Sequence, residues 1–432
     1  MTEVAGHAPT AANGVIVRAA GAGAAGNVLE WFDFAVYGYM APMIAPLFFP
    51  STDPLSAILA VYGAFAAGYL ARPIGAMIFG HLGDHFGRKP MLVASVLMMG
   101  LSTVSIALLP TFQTVGPIAG ALLVVLRILQ GLSVGGEYTG STVFVAEHAP
   151  PARRGFFCAW ITGGAIGGFL LGSLAVALLS TMFDEATIKA GLWRLPFLCG
   201  LLIVIAALVL RRSVSDAPGP SHGEPVQHPV PHAFRHSWRE ILKVGAIALG
   251  ASAVPFYILF VYAATFLQER LHVSTTMAMD INTIALCILF VVPFLSGALS
   301  DRIRARRPVL ITGFALMVLL CVPLWALMHT AEPIRVVAAQ AGFALIVGIT
   351  AGVAPVIMTE IASTRTRVTV LSIGYNVTLA LFGGTAPIVA AYLIARTADD
   401  YMPAYYILAT SAVSLVVAVF FLRVPGPKPA PG

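Results

Sequence analysis

The chain has 432 residues, of which 58% are hydrophobic and only 10% carry a charged side chain. Soluble domains carry about 25% charged residues, so this composition excludes an ordinary water-soluble protein and favours one that crosses a membrane repeatedly. The formal net charge of +6 does not indicate nucleic-acid binding, because the basic residues lie mainly in short breaks between apolar segments.

Apolar segments long enough to cross ~30 Å of hydrocarbon as helices follow one another along the whole chain. The first half predicts helices at residues 19–48, 56–83, 90–110, 114–148, 155–181 and 193–211. The second half predicts helices at residues 241–269, 277–300, 307–328, 333–361, 367–396 and 403–423. The expected fold class is an all-α membrane protein whose twelve transmembrane helices form two pseudo-symmetric six-helix bundles, residues 1–211 and 240–432. Residues 212–239, rich in Pro and His, are expected to be a solvated cytoplasmic linker.

The basic residues predict the orientation of these helices. One side of the membrane is expected to hold both termini and the breaks with Arg88, Lys89, Arg153, Arg154, Arg302, Arg306 and Arg367. The opposite side holds only Lys189, Arg194, Arg270, Arg335 and Arg396. Positive loops stay inside, so both termini are expected in the cytoplasm. The polar N-terminal segment, residues 1–18, predicts no cleaved signal peptide.

Charged motifs recur in corresponding places of the two halves, which indicates a duplicated architecture. The first pair of motifs contains Asp84 at the end of the second predicted helix and Asp301 at the end of the eighth. The second pair consists of a Glu followed seven residues later by an Arg, at the ends of the fourth and tenth predicted helices. The charged residues of these motifs are Asp84, Arg88, Lys89, Glu147, Arg154, Asp301, Glu360 and Arg367. We expect them to form a cytoplasmic gate that holds the inner side closed and opens for release.

Five ionisable side chains fall inside predicted helices: Glu30, Asp33, Arg72, Arg127 and Glu137. A charge at the bilayer centre costs at least ~2.5 kcal/mol, so each needs a partner or a water-filled cavity. Burial disfavours the charged form of a carboxylate, which makes Asp33 the first candidate for proton carrier, with Glu30 and Glu137 as further candidates. A fixed salt bridge to Arg72 or Arg127 is the alternative. Arg72 is expected to be a structural buried charge.

The fourth predicted helix carries a polar stripe, because Arg127, Gln130 and Glu137 share one face at 3.6 residues per turn. The planar guanidinium of Arg127 suits bidentate hydrogen bonding to a substrate carboxylate, and a structural ion pair is the alternative. Further candidate substrate-binding residues are Gln130, Tyr37, Tyr257 and Asn376. Isolated aromatic residues in such helices also serve as packing residues.

Residues Gly80–Lys89 resemble the G-x-L-x-D-x-x-G-R-K loop of the major facilitator superfamily. Within that superfamily the chain resembles the metabolite:proton symporters, through Gly26–Phe34, Arg72–Gly75 and Gln130–Tyr138. This resemblance covers nearly the whole chain and implies proton-coupled uptake of a small carboxylate-bearing solute, such as proline, betaine, 2-oxoglutarate, citrate or shikimate. The sequence of Tyr401–Tyr406 most resembles that of the proline/betaine carriers.

The expected function is therefore symport by alternating access in the bacterial cytoplasmic (inner) membrane, by a monomer in which a small-molecule substrate and protons meet between the halves. The sequence contains no nucleophile, metal-ligand or phosphate-binding pattern, so we expect no enzymatic activity, no cofactor, no metal and no nucleic-acid partner. Three alternatives stay open: a proton-coupled antiporter or exporter, sodium as the coupling ion, and a non-transporting membrane sensor.

Overall fold

The computed structural model describes residues 8–86, 88–134, 136–201, 205, 229–364 and 366–422. All regular secondary structure in these ranges is helical. The first half contains α1 Ala8–Phe48, α2 Pro54–Phe86, α3 Arg88–Leu108, α4 Ile118–His148, α5 Arg154–Met182 and α6 Leu192–Leu201. The second half contains α7 Trp238–Glu269, α8 Thr275–Arg302, α9 Arg306–His329, α10 Pro333–Ile361, α11 Arg367–Thr397 and α12 Met402–Phe421.

These helices follow the predicted order, and most ends lie within a few residues of the predicted ones. Within the described chain, 9 helices are long and apolar enough to cross a membrane by themselves, and α1, α3 and α6 occupy the other predicted spans. The predicted sixth helix, residues 193–211, continues past α6 into residues outside the described ranges. Helices are expected here because in lipid each segment must satisfy its own backbone N–H and C=O groups.

The predicted linker differs in its second half. Residues 212–228 lie outside the described ranges, but Pro229–His236 form a short helix that leads into α7 at Trp238. Pro229 and Pro231 fall in the first turn of this helix, where the missing N–H groups would have no intrahelical partner in any case. The two prolines are therefore compatible with a short helix in this part of the predicted linker.

Small residues bring the helices of each half close together, as in many membrane bundles. A Cβ at Gly131 of α4 would overlap the carbonyl oxygen of Gly68 of α2, and a Cβ at Gly164 of α5 would overlap the carbonyl oxygen of Ala24 of α1. The α2 and α4 backbones therefore touch one turn from the buried Arg72 and Arg127. The two halves meet mainly where α5 packs on α8 and where α2 packs on α11.

Two helices of the second half are irregular near their middle. In α7, Pro255 lies between two π-helical segments, Leu249–Ala253 and Ile258–Tyr262, and α11 contains another at Leu379–Gly383. The first segment of α7 packs against that of α11. π-Helical turns inside α-helices occur frequently at functional sites, because the extra residue turns neighbouring side chains in new directions. Here they flank Tyr257.

Candidate substrate and coupling site

Asp33 is buried in the middle of α1 and joins a polar network of three helices. Its Oδ2 accepts hydrogen bonds from the hydroxyl of Thr103 on α3 and from Nε2 of Gln130 on α4. The Oε1 of Gln130 accepts a hydrogen bond of 2.7 Å from Nη1 of Arg127. Gln130 therefore bridges the carboxylate and the guanidinium, and the two predicted partners Asp33 and Arg127 are connected through a neutral side chain.

The guanidinium of Arg127 is enclosed by aromatic rings. Its Cζ lies 4.3 Å from the ring centroid of Tyr37 and 4.7 Å from that of Phe34. The hydroxyl of Tyr37 donates to the carbonyl oxygen of Val61 at 3.1 Å, which fixes this ring. Such faces stabilise a desolvated cation by cation–π attraction. Arg127 and Tyr37 thus form part of the packed interior of the first half.

Glu30 and Arg72 form a second, separate buried pair. Nη2 of Arg72 lies 2.8 Å from Oε1 of Glu30, and the two residues are 1% and 3% exposed. The Cζ of Arg72 lies 5.1 Å from the ring centroid of Trp31 and 5.3 Å from that of Tyr69. The sequence left open a fixed salt bridge between a carboxylate of α1 and Arg72 or Arg127. Glu30 forms such a bridge with Arg72, whereas the Asp33 carboxylate accepts hydrogen bonds from Thr103 and Gln130.

The predicted continuous stripe on α4 is wrong, because α4 consists of two helices, Ile118–Ser133 and Glu137–His148. Val134 and Gly136 leave helical geometry, with φ/ψ of −112°/68° and −150°/−1°. Helical periodicity therefore cannot be carried across the break. Glu137 nevertheless faces the first-half interior, in a cavity that it lines together with Glu30, Asp33, Ser95 and Thr103. We call this space the acidic cavity.

A second cavity lies between the two halves, and six of its fifteen lining residues are aromatic. Its aromatic residues are Trp31, Tyr138 and Phe169 of the first half and Phe256, Tyr257 and Tyr375 of the second half. We call it the aromatic cavity. Across it, the rings of Tyr138 and Tyr375 stack with centroids 4.7 Å apart and planes 12° apart. The hydroxyl groups of Tyr69 and Tyr257 share a hydrogen bond of 2.6 Å behind its wall.

Of the predicted substrate-binding residues, the structure places Tyr257 in the aromatic cavity and Asn376 next to the cavity residue Tyr375. Gln130, Arg127 and Tyr37 lie together in the first half. Sequence reasoning did not select the other aromatic lining residues as a group. A signal was available for two of them, because Trp31 and Tyr138 lie inside the motifs that carry the family resemblance.

Charged side chains from both halves are paired at one end of the bundle. We call it the basic end; α4, α8 and α10 end there, and α5, α9 and α11 begin there. Nη1 of Arg367 lies 2.9 Å from Oε1 of Glu147. Glu360 contacts Arg306 and lies 3.7 Å from Arg154. Glu147 and Glu360 thus each lie near an arginine of the other half, Arg367 and Arg154 respectively. Glu360 also pairs with Arg306, which belongs to its own half and which sequence reasoning did not select as a gate residue.

Asp301 connects the halves at the same end by a different contact. Its carboxylate accepts hydrogen bonds from the backbone N–H groups of Gly155 and Phe156, at 2.9 and 2.8 Å. These groups belong to the first turn of α5, where N–H groups have no intrahelical partner and a negative charge is favoured. The side chains of Asp84, Arg88 and Lys89 lie outside what the structure describes, so their gate role stays a prediction.

The opposite end is also bridged. The hydroxyl of Tyr62 on α2 lies 2.7 Å from that of Thr265 on α7, and Nδ2 of Asn282 on α8 lies 3.0 Å from Oγ of Ser173 on α5. Polar contacts between the halves therefore lie on both sides of the aromatic cavity.

The chain matches the Major Facilitator Superfamily over residues 23–373. It is 33% identical over 422 residues to the glycine betaine/proline/ectoine/pipecolic acid transporter OusA of Dickeya dadantii, covering 94% of this chain and 83% of that protein. It is 34% identical over 421 residues to the proline/betaine transporter of Escherichia coli K12, again covering 94% and 83%. The ectoine/proline transporter ProP of Corynebacterium glutamicum is 34% identical over 426 residues, covering 94% and 84%.

The fold also matches the solved structure of the proton:xylose symporter XylE bound to 6-bromo-6-deoxy-D-glucose, with a TM-score of 0.78 at 17% sequence identity, covering 96% of this chain and 98% of that one. The predicted fold class is thereby confirmed. These proteins are transporters, which agrees with the prediction that the chain is not an enzyme. The chain is a multi-pass membrane protein that belongs to the major facilitator superfamily.

Proposed function

We propose that the chain is a proton-coupled symporter that imports small zwitterionic osmolytes of the proline and betaine class by alternating access. The observation that carries this proposal is the aromatic cavity between the halves. Aromatic faces attract quaternary ammonium and similar desolvated cations. Substrate sites of secondary transporters lie near mid-membrane between the two repeats, and the aromatic cavity takes its lining residues from both halves of this chain. The names of the relatives list proline, glycine betaine and ectoine, all of which join one cationic centre to one carboxylate.

The same cavity disfavours di- and tricarboxylates as substrates. The negative faces of its rings repel additional carboxylates, because an aromatic ring carries its negative charge on the face and its positive charge on the edge. The buried guanidinium next to the cavity, Arg72, already faces one carboxylate, that of Glu30. Citrate or 2-oxoglutarate would thus bring two or three negative charges to a site with one nearby cation. Of the solutes that the family resemblance implies, the zwitterions fit best.

The acidic cavity supports proton coupling in the first half. Asp33, Glu30 and Glu137 all line it, and the Asp33 carboxylate is held by Gln130 and Thr103, side chains that can rearrange when a proton binds. Protonation would neutralise Asp33 and leave the Arg127 charge to its aromatic neighbours. Asp33 therefore keeps its place as a candidate proton carrier in this proposal.

Alternating access would require the two sets of contacts between the halves to break in turn. With the predicted topology, the basic end faces the cytoplasm. Glu147–Arg367, Arg154–Glu360 and the capping of α5 by Asp301 would then separate for release. The Tyr62–Thr265 contact at the opposite end would separate for loading. Such rocking of two halves about a central site is the usual mode of this architecture.

Purified protein in liposomes tests the proposal. We expect uptake of radiolabelled glycine betaine or proline to require an inward proton gradient, to collapse with a protonophore, and to be indifferent to a sodium gradient. Citrate and 2-oxoglutarate should neither be taken up nor compete. Uptake driven by sodium alone would overturn proton coupling, and uptake of citrate in preference to betaine would overturn the assignment of the substrate class.

A further inference from the structure

The Glu30–Arg72 pair connects residues that line the two cavities. Glu30 lines the acidic cavity. Arg72 packs against Trp31, whose ring lines the aromatic cavity, and against Tyr69, whose hydroxyl is bonded to that of the cavity residue Tyr257. One side of this ion pair therefore belongs to the proposed proton site and the other side to the proposed substrate site.

The pair is incompletely satisfied. Nη2 of Arg72 bonds to Glu30, but its Nε and Nη1, and the Oε2 of Glu30, are buried without a hydrogen-bond partner among the described residues. Leaving a buried charged group without partners is costly, because its desolvation is not compensated. The planar guanidinium offers donors in a fixed fork that can hold a second carboxylate. Arg72 thus has the chemistry and the position to take a further anionic ligand from the side of the aromatic cavity.

We propose that Arg72 is shared between Glu30 and the carboxylate of the substrate, and that Glu30 takes up the coupled proton when the substrate replaces it on Arg72. This inference rests on the function proposed above and deepens it. The carboxylate of Glu30 would receive the proton from a hydronium ion in the acidic cavity, forming an O–H bond on the oxygen that leaves Arg72 while one O–H bond of the hydronium breaks and releases water. The substrate carboxylate stays ionised and forms the new ion pair.

This exchange gives the sign of the coupling. Before binding, Glu30 and Arg72 cancel each other's charge. After binding, the zwitterion adds no net charge and Glu30 is neutral, so the site carries the one positive charge of the proton. Besides Arg72, the titratable groups close enough to influence Glu30 come from several helices: Tyr69 of α2, Glu137 and Tyr138 of α4, and Tyr375 of α11. None of these groups is a cation, so when Arg72 pairs with the substrate, the Glu30 carboxylate loses the positive charge that balanced it.

Arg72 consequently has a role beyond the structural charge that the sequence suggested. Arg127, the anchor expected from the sequence, also has two donors, Nε and Nη2, without a partner among the described residues. It packs, however, against Gln130, Tyr37 and Phe34, which do not line the aromatic cavity. In this assignment Arg72 contacts the substrate, Glu30 carries the proton, and Trp31 separates the two while its ring contacts the cationic end of the substrate.

The test is the pH dependence of glycine betaine binding to the purified full-length protein, measured by calorimetry at acidic and alkaline pH. In the wild type, binding should weaken as the pH rises, by up to about tenfold per pH unit, as one linked proton requires. Glu30→Gln, an uncharged isostere, should bind betaine tightly at every pH, exchange it across liposomes, and fail to accumulate it in a proton gradient. Asp33→Asn distinguishes the two candidate carboxylates of the acidic cavity: it should keep the pH dependence of binding, and a loss of that dependence in Asp33→Asn but not in Glu30→Gln would refute the exchange on Arg72.

If Glu30→Gln keeps the wild-type pH dependence, or still accumulates betaine in a proton gradient, the exchange on Arg72 is refuted even though the transport function stands. If the wild type binds no betaine at all, it is the proposed function that fails. Arg72→Lys provides a second measurement, with choline as the probe that lacks a carboxylate. Affinity for betaine should fall at least tenfold relative to choline, and an equal change for both ligands would show that Arg72 does not contact the carboxylate.

Discussion

Phe169→Leu is the substitution that tests the aromatic cavity most directly. Phe169 is 1% exposed and forms part of the cavity wall on α5. Its ring centroid lies 4.7 Å from that of Phe256 and 5.7 Å from that of Trp31, so it belongs to the enclosing group of rings. Leucine fills much of the same space but has no aromatic face. The substitution therefore removes one cation–π partner while it preserves an apolar wall.

The expected loss follows from the burial of the site. A desolvated cation–π contact contributes about 2 kcal/mol and an exposed one about 0.5–1 kcal/mol. Because the Phe169 ring is buried, we expect a loss of about 1–2 kcal/mol of betaine binding. At 1.4 kcal/mol per factor of ten, the Kd should rise about 5- to 30-fold. The effect should depend on the positive charge of the ligand rather than on its shape.

The measurement compares glycine betaine with 3,3-dimethylbutyrate, in which a carbon atom replaces the quaternary nitrogen. In the wild type betaine should bind more tightly, and in Phe169→Leu this preference should shrink while binding of the carbon analogue changes little. Phe157→Leu is the matched control, because Phe157 is buried in the same helix near the basic end and lies away from the residues that line the aromatic cavity. An unchanged preference in Phe169→Leu, or the same loss in Phe157→Leu, would refute the role of the cavity.

Three further substitutions test the packing and the contacts at the two ends. Gly131→Ala should lower stability by about 3 kcal/mol or prevent folding, since its Cβ would meet the backbone of α2; Gly140→Ala, with open space at its Cβ, should leave the melting temperature in detergent unchanged. Asp301→Ala should cost about 1–2 kcal/mol by removing the cap of α5 and should speed the labelling of cysteines introduced at the basic end; unchanged labelling would exclude a gate role. Tyr62→Phe removes the bond to Thr265, worth about 1 kcal/mol, and spin-label distances should show the opposite end open about fivefold more often.

The positions of the helices could be predicted because a membrane-spanning segment must be apolar and long enough to cross the bilayer, whichever helix it packs against. The same reasoning assumed regular helices, and this assumption failed where the backbone departs from 3.6 residues per turn. The break at Val134–Gly136 in α4 and the π-helical turns on either side of Pro255 in α7 change which side chains share a face. Such departures depend on contacts with neighbouring helices, which a single sequence does not contain.

The buried charges could also be selected from the sequence, since each is conspicuous in an apolar helix. Their partners could not, because pairing depends on the rotation of each helix about its axis. Glu30 and Asp33 are one turn apart on α1, yet one meets Arg72 and the other meets Gln130. The aromatic cavity escaped detection for a related reason: its rings come from several helices, and each ring alone resembles an ordinary packing residue.

The contrast between these two carboxylates explains how one helix can serve both cavities. Asp33 lies on the side of α1 that faces α3 and α4, where Gln130 separates it from the Arg127 charge and the surrounding network belongs to one half. Glu30 lies one turn nearer the basic end, beside Trp31, and its cation packs against rings that face the other half. A change in the aromatic cavity therefore reaches Glu30 through Arg72 in a single step, whereas it reaches Asp33 only through the packing of the first half. In the proposed symport, the carboxylates of the substrate and of Glu30 compete for Arg72, so binding of the substrate favours binding of the proton to Glu30.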